Sequence, residues 1–368
     1  MLFATPKLTK DVSARLEPLD GLRKKLGEEA ATFSPWMGTL RREVKALSVE
    51  SSTSIEGFEV SHDEALALVD GKEVAPEDEH RMAVACYARA MDHVGVMASD
   101  PAFRWSDRVI LDLHFDACHF QKDKSPGHWR KVPISVTASA GGTAYTGPEW
   151  SDVPKLMGEV VAWLEKGDLG AHPVVRAAMA HLHVVSVHPF RDGNGRISRI
   201  IQSLVLAQEQ LVSPEFGSIE EYLAKDTPGY YRVLQEVQGG AYQPDRDASA
   251  WVEFCVEAHT SQAAQRLEQI DQAASRWAAL EALAERRRWP DRLVIALEQS
   301  LMGGSDRARY SGEAAVSAAT ASADFRRLLD ADLVEQRGSG PSTRYFATEQ
   351  LRELAGGKQP GDDPLLGR

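Results

Sequence analysis

Cysteine is scarce: Cys86, Cys118 and Cys255 are the only three in 368 residues. They are odd in number, widely separated and without metal-ligand spacing, which excludes a disulfide framework or a zinc site and reads as reduced thiols of a cytoplasmic protein. Long apolar runs are missing too. Nowhere do about eighteen successive apolar residues occur, and the opening MLFATPKLTKDVS is too polar for a signal peptide, so a soluble chain with no membrane partner is expected. A basic excess is also lacking. The formal net charge of −12 excludes coating of nucleic acid by bulk charge, though not a local basic face. Finally, no HExxH pattern exists. His181 and His183 alternate on a predicted helix and so point to different sides, which suits packing or polar roles and not a metal pair.

What is present is concentrated in His188, Pro189, Phe190, Arg191, Asp192, Gly193, Asn194, Gly195, Arg196, Ile197, Ser198 and Arg199. Pro189 disfavours the helical region for the residue before it, so His188 is expected at or just past a helix end, its imidazole facing a cleft as a general base. The Gly193, Asn194, Gly195 run permits unusual backbone conformations, and successive amides in such a turn form a nest for phosphate oxygens. Ile197, Ile200, Ile201, Leu204 and Val205 recur at helical spacing, so a helix begins at the glycine turn and aims its N-terminus at the same spot. Arg196 and Arg199 set two guanidinium forks on that helix's first turn. Asp192, an acid among donors, is reconciled with phosphate by a bridging Mg²⁺.

This string resembles the signature of Fic-domain proteins, His-Pro-Phe-x-Asp/Glu-Gly-Asn-Gly-Arg-x-x-Arg, at all nine informative positions. The resemblance implies a protein adenylyltransferase: the histidine deprotonates a Ser, Thr or Tyr hydroxyl of a target protein, which attacks the α-phosphate of ATP and expels pyrophosphate. Carried over, His188 is the base and Asp192 holds Mg²⁺. Phe190, Gly193, Asn194, Gly195, Arg196, Arg199 and Tyr231 surround the nucleotide. Such division of labour agrees with transfer chemistry that is mostly positioning and charge stabilisation. Some relatives transfer other nucleotides or a choline phosphate group, and that alternative stays open. Upstream, Gly127 to Val136, then Gly141, Gly142, Tyr145 and Pro148, read as a short hairpin. In the resembling family a hairpin here, the flap, clamps the target by strand addition.

A second stretch, Ser51 to Gly57, follows a helical pattern through Trp36, Met37, Leu40, Val44 and Leu47. Ser52 and Glu56 are four apart on one face, and Gly57 suits a C-terminal stop. These residues resemble the Ser/Thr-x-x-x-Glu-Gly/Asn motif of Fic proteins restrained from their N-terminal side. The implied brake is competition, with Glu56 pairing with Arg199 where the γ-phosphate would lie. Some relatives also use this glutamate to remove the modification.

The expected fold is mainly α, a Fic-type helical core with a β-hairpin flap and a C-terminal winged helix-turn-helix domain. Residues 1–61 form an N-terminal helical segment with the inhibitory motif, 62–259 the core, 260–288 a helical linker, 289–353 the winged-helix-like domain and 354–368 a disordered tail. Pro173 is expected to open the helix that delivers His188. Tyr230 and Tyr231 stand where relatives keep a Tyr-Tyr pair near adenine, but Lys225 to Gly229 replace the expected asparagine and arginine, so stacking on a purine and plain core packing are equal alternatives. In the C-terminal region, helices at 291–301, 311–316 and 317–329 precede strands at 333–336 and 344–347. From Arg286 to Phe346 ten arginines face eight acids. Arg326, Arg327, Arg337 and Arg344 are therefore candidates for DNA phosphates, opposed by Asp324, Asp330 and Asp332. A DNA-binding regulator whose core senses nucleotide is the alternative function, and a homodimer remains open.

Overall fold

The computed structural model describes residues 1–137, 143–340 and 343–356. The chain forms two compact units, Met1–Ala31 with Val44–Arg266 and Thr32–Glu43 with Leu267–Arg368. Of the expected N-terminal segment, residues 1–31 and 44–61 lie in one unit with the core, and residues 32–43 lie in the other. The chain crosses between the units three times, once at the end of helix Lys10–Ala31 and twice inside continuous helices, Met37–Ser54 and Ser249–Arg286.

Two helices form the centre of the larger unit. Pro173–Val187 starts at a proline whose missing N–H costs nothing there, and the His172 side chain accepts from the Val174 amide at 3.2 Å. Every residue from Ala177 to Val187 is buried. A helix apolar on all sides belongs inside a bundle. It packs along Asn194–Ala207, which is also almost wholly buried, and the two are joined only by the His188–Gly193 loop. Helices Glu79–Ser99, Asp107–Cys118 and Val153–Lys166 surround them. Nearly all of the apolar side chains of these helices belong to one continuous core that includes Trp251 and Tyr230. The central loop is thus held at both ends by the most buried part of the fold.

The hairpin is present as Ser135–Thr137 paired antiparallel with Thr143–Thr146, with a register irregularity after Val136. Its tip, including Gly141 and Gly142, lies outside the described residues. Helices Glu220–Lys225 and Thr227–Gln238 are separated at Asp226, whose carboxylate accepts from the Gly229 amide at 2.9 Å. The unexpected Lys225–Gly229 sequence is therefore a helix break and restart.

In the smaller unit, helices Arg292–Leu301, Arg307–Glu313 and Ala318–Asp330 precede strands Val334–Arg337 and Arg344–Ala347, paired antiparallel, and a last helix Glu349–Leu354. The second helix begins four residues before the expected 311. Asp306 caps it by accepting from the Ala308 and Arg309 amides, both at 2.9 Å. Two of the four candidate DNA-binding arginines have partners within the unit: Arg337, still exposed, pairs with Glu335 at the surface, and Arg344 donates to the Gly303 carbonyl at 2.8 Å. Asp324 is buried and accepts from Arg292 and the Tyr310 hydroxyl, both at 2.8 Å, so it is a structural acid and not part of a surface. Arg326 and Arg327 remain exposed. Most of the expected tail, 357–368, lies outside the described residues.

Candidate active site

His188 ends the first central helix in the left-handed region, φ 51° and ψ 57°. That turn points its ring out of the helix, and Nδ1 lies 3.0 Å from the Val185 carbonyl. A proton on Nδ1 satisfies this bond, which leaves the lone pair on Nε2 for an incoming proton. Burial is the main cause of a pKa pushed down to about 4, so the ring is neutral at pH 7.

The loop after His188 is braced from within. The Asn194 side chain accepts from the Phe190 amide at 2.9 Å and donates to the Phe190 carbonyl at 3.0 Å. Asn194 thus closes the turn with its side chain and can meet a phosphate only through its backbone. Phe190 also departs from the expectation of a nucleotide contact. Its fully buried ring stacks on His114 at 3.5 Å between centroids and abuts Trp129 at 5.0 Å, so it anchors the loop to the core. Gly193 sits at φ 74°, and the helix begins at Asn194, its free amides facing the loop.

Around this N-terminus two buried guanidiniums meet one carboxylate. Glu56 Oε2 accepts from Arg196 Nε at 2.5 Å, and Oε1 from Arg199 Nη2 at 2.8 Å. The expected partner was Arg199 alone. Ser52 completes the clamp, its hydroxyl accepting from Arg199 Nε at 2.7 Å and its carbonyl from Nη2 at 2.9 Å. Helix Met37–Ser54 presents Ser52, and the following turn, closed by Gly57 at φ 85°, swings Glu56 inward. Gly195 makes room, since a Cβ there would lie 2.6 Å from Glu56 Oε1. Burial would raise the Glu56 pKa, but the charges of Arg196 and Arg199 and their hydrogen bonds outweigh it and hold the carboxyl below its usual range. Arg199 Nη1, although buried, has no hydrogen-bond partner among the described residues.

Asp192 stands apart from this pair at 3.8 Å from Arg196 Nη2, with its side chain 39% exposed. Its oxygens accept from Gln121 Nε2 at 2.6 Å and from the Gly193 amide at 2.8 Å. Among the described residues no group of three or more His, Cys, Asp or Glu could hold a metal. A single exposed carboxylate does fit Mg²⁺, which commonly takes one or two carboxylates and completes its shell from substrate phosphates and water. Tyr231 is 45% exposed and donates to the Ile55 carbonyl at 3.3 Å, whereas Tyr230 is buried against His181. Of the two tyrosines, only Tyr231 offers a free face.

Three residues that carry the site had no role assigned from sequence. Arg130, buried, donates to the carbonyls of His188 at 2.8 Å, Val132 at 2.9 Å and Pro148 at 2.6 Å, while its own amide donates to the Pro189 carbonyl at 2.8 Å. It ties both roots of the hairpin to the catalytic loop. His114 lies 3.0 Å from the Asp192 carbonyl and accepts from the Gly127 amide at 2.9 Å. Gln121 bridges Asp192 and Arg196. A cation near Gly127 and a lone histidine on an apolar helix were the available signals, and neither is specific without the fold.

A histidine at a helix end, a glycine turn and paired arginines on the next helix lie together in a helical core. Residues 105–206 match the model of the Fic/DOC family, and this stretch is a Fic domain. Among relatives, "Protein adenylyltransferase Fic" of Aedes aegypti is 31% identical over 201 residues, covering 52% of this chain and 38% of the relative. "Protein adenylyltransferase fic-1" of Caenorhabditis elegans is 29% identical over 178 residues, covering 45% of this chain and 32% of the relative. The chain therefore spans well under half the length of these relatives. A solved Fic family protein from Desulfovibrio desulfuricans G20 shares the fold with a TM-score of 0.60 at 19% identity, covering 94% of this chain and 98% of that one. A C. elegans Fic-1 fragment does so at 0.56 and 21% identity, covering 71% and 74%.

Proposed function

We propose that this chain is an autoinhibited protein adenylyltransferase, moving AMP from ATP to a Ser, Thr or Tyr hydroxyl of a target protein and of itself. In this reading His188 Nε2 takes the hydroxyl proton, the oxygen bonds to the α-phosphorus, and the bond to the bridging oxygen breaks to release pyrophosphate. The Gly193–Gly195 amides, the helix dipole and the two guanidiniums hold the phosphates. Asp192 would hold Mg²⁺, which when bound neutralises phosphate charge. Tyr231 would stack on the purine.

The observation that carries the proposal is the anion already seated in the site: the Glu56 carboxylate occupies Arg196 and Arg199 together at the helix N-terminus. Donors that hold a carboxylate in this way can also hold a phosphate oxygen, which supports the reading. The names of the relatives support the transferred group, adenylyl.

Intact mass after incubation with ATP and Mg²⁺ tests the reading. Glu56→Gly should carry an AMP adduct, wild type little, and His188→Ala none. Equal adducts in wild type and Glu56→Gly at saturating ATP would remove the brake, and adducts in His188→Ala would remove the base.

A further inference from the structure

Beside the catalytic loop lies an open cleft of about 600 Å³ whose chemistry the transfer reaction does not use. Phe115, Trp129 and Val132 supply apolar wall, and Lys122, Lys131 and Arg191 supply charge. No lining residue carries a carboxylate, although the whole chain has a net charge of −12. All three cations are exposed, and none forms an ion pair with the described residues. Arg191 belongs to the loop between His188 and Asp192, while Lys131 and Val132 run directly into the first hairpin strand. The cleft is therefore lined in part by the loop that follows His188 and by the segment that leads into the hairpin.

Among the described residues the hairpin has one edge without a strand partner. Thr143–Thr146 is covered on its outer side where Thr146 bridges Ala241 and its amide donates to the Gly240 carbonyl at 2.9 Å. Among the described residues, Ser135–Thr137 pairs only with Thr143–Thr146. An added strand would use that edge, and at about 3.3 Å per residue its continuation reaches Lys131 within about four residues.

We propose that the cleft is a specificity site for the target protein, accepting a segment in which an aromatic or large aliphatic side chain is flanked by carboxylates, a few residues away from the strand paired with the hairpin. This rests on the adenylyltransferase reading and names the class of target it serves. The apolar wall takes the large side chain and the three cations take the acids, which is charge complementarity that sets partner choice and encounter rate.

Fluorescence anisotropy on the full chain without ATP tests it, using short dye-labelled peptides with phenylalanine flanked by glutamates, by glutamines or by lysines. Wild type should bind the glutamate peptide about tenfold more tightly than the glutamine peptide at low salt, and lose the preference as salt rises. The variant Lys122→Glu, Lys131→Glu, Arg191→Glu should reverse it and prefer the lysine peptide, a gain that a misfolded protein cannot show. Equal binding of the glutamate and glutamine peptides by wild type would overturn the proposal. So would an unchanged preference in the reversed variant, or a cleft that binds pyrophosphate alone and discriminates no peptide. Because no transfer is involved, failure of the adenylyl reading appears in the mass assay and leaves this result to be read by itself.

Discussion

Replacing Glu56 by glycine should damage the empty protein and be repaired by nucleotide. The Glu56 side chain is 15% exposed, and Arg196 and Arg199 are 0% and 2% exposed, so the carboxylate neutralises two guanidiniums that water barely reaches. Breaking a buried pair by removing one partner costs about 3–5 kcal/mol, because the remaining charge is left uncompensated. At about 2–4 °C per kcal/mol for a unit of this size, the melting temperature of the unliganded variant should fall by about 6–20 °C. A triphosphate restores the missing negative charge, and at a hundredfold excess over Kd binding returns about 2.7 kcal/mol. Scanning fluorimetry with and without ATP and Mg²⁺ should show a large nucleotide-dependent rise in Glu56→Gly and a small one in wild type. Glu56→Gln, which keeps an acceptor but no charge, should fall between them. Coincident unliganded melts, or equal rises in both proteins, would refute the idea that Glu56 and phosphate compete for the same donors.

Other outcomes follow from the same geometry. Buried His114 is pushed down to about 4, and His181, His183 and His259 to about 3, all mainly by burial. The unfolded chain protonates these rings near pH 6.5 and the folded one does not, so stability is full above that value and is lost as pH falls toward 4, by about 1.4 kcal/mol per pH unit for each ring; a urea midpoint flat between pH 7 and 5 would contradict this. Arg130→Ala strands three carbonyls, so it should lose about 3 kcal/mol or more in urea unfolding. In the Glu56→Gly background it should lower kcat far more than it raises the KM for ATP, with Arg130→Lys recovering part of it; a pure KM effect would mean that Arg130 does not position His188. Tyr231→Ala should weaken ATP binding about tenfold by calorimetry if its exposed face stacks on the base, and Tyr231→Phe should not.

Legibility in the sequence followed how local the physics is. The His188–Arg199 string encodes its own turn through Pro189, Gly193 and Asn194, and the third C-terminal helix, expected over 317–329, and the two strands lie within a residue of where their spacing placed them. The Arg307–Glu313 helix was misplaced because its Asp306 cap competes with other plausible starts nearby. The roles of Arg130, His114 and Gln121 depend on bringing the Asp107–Cys118 helix and the hairpin root against a loop some sixty residues or more later. No periodicity reports a contact of that kind. For the same reason Phe190 could be recognised as part of the motif while its ring's use as an anchor could not.

If the proposed brake operates, the addition of Arg196 to the expected Glu56–Arg199 pair changes how it would work. A carboxylate on one guanidinium would leave the second free to recruit phosphate and peel the glutamate away stepwise. With both guanidiniums held, and Ser52 fixing Arg199 through hydroxyl and carbonyl, nucleotide must displace several bonds before gaining its full set. On the proposed reading Gly195 serves the exclusion sterically, because a Cβ there would lie 2.6 Å from Glu56 Oε1 and would close the space through which Glu56 approaches the helix N-terminus. Inhibitor and substrate therefore share donors and dipole. Substitutions at Arg196, Arg199 or Gly195 necessarily alter restraint and catalysis together, whereas the Glu56 carboxyl, supplied from a different helix, is the one charged partner whose removal frees the donors while leaving them in place. On the proposed reading, regulation reduces to whether the turn after Ser54 keeps that carboxyl inward.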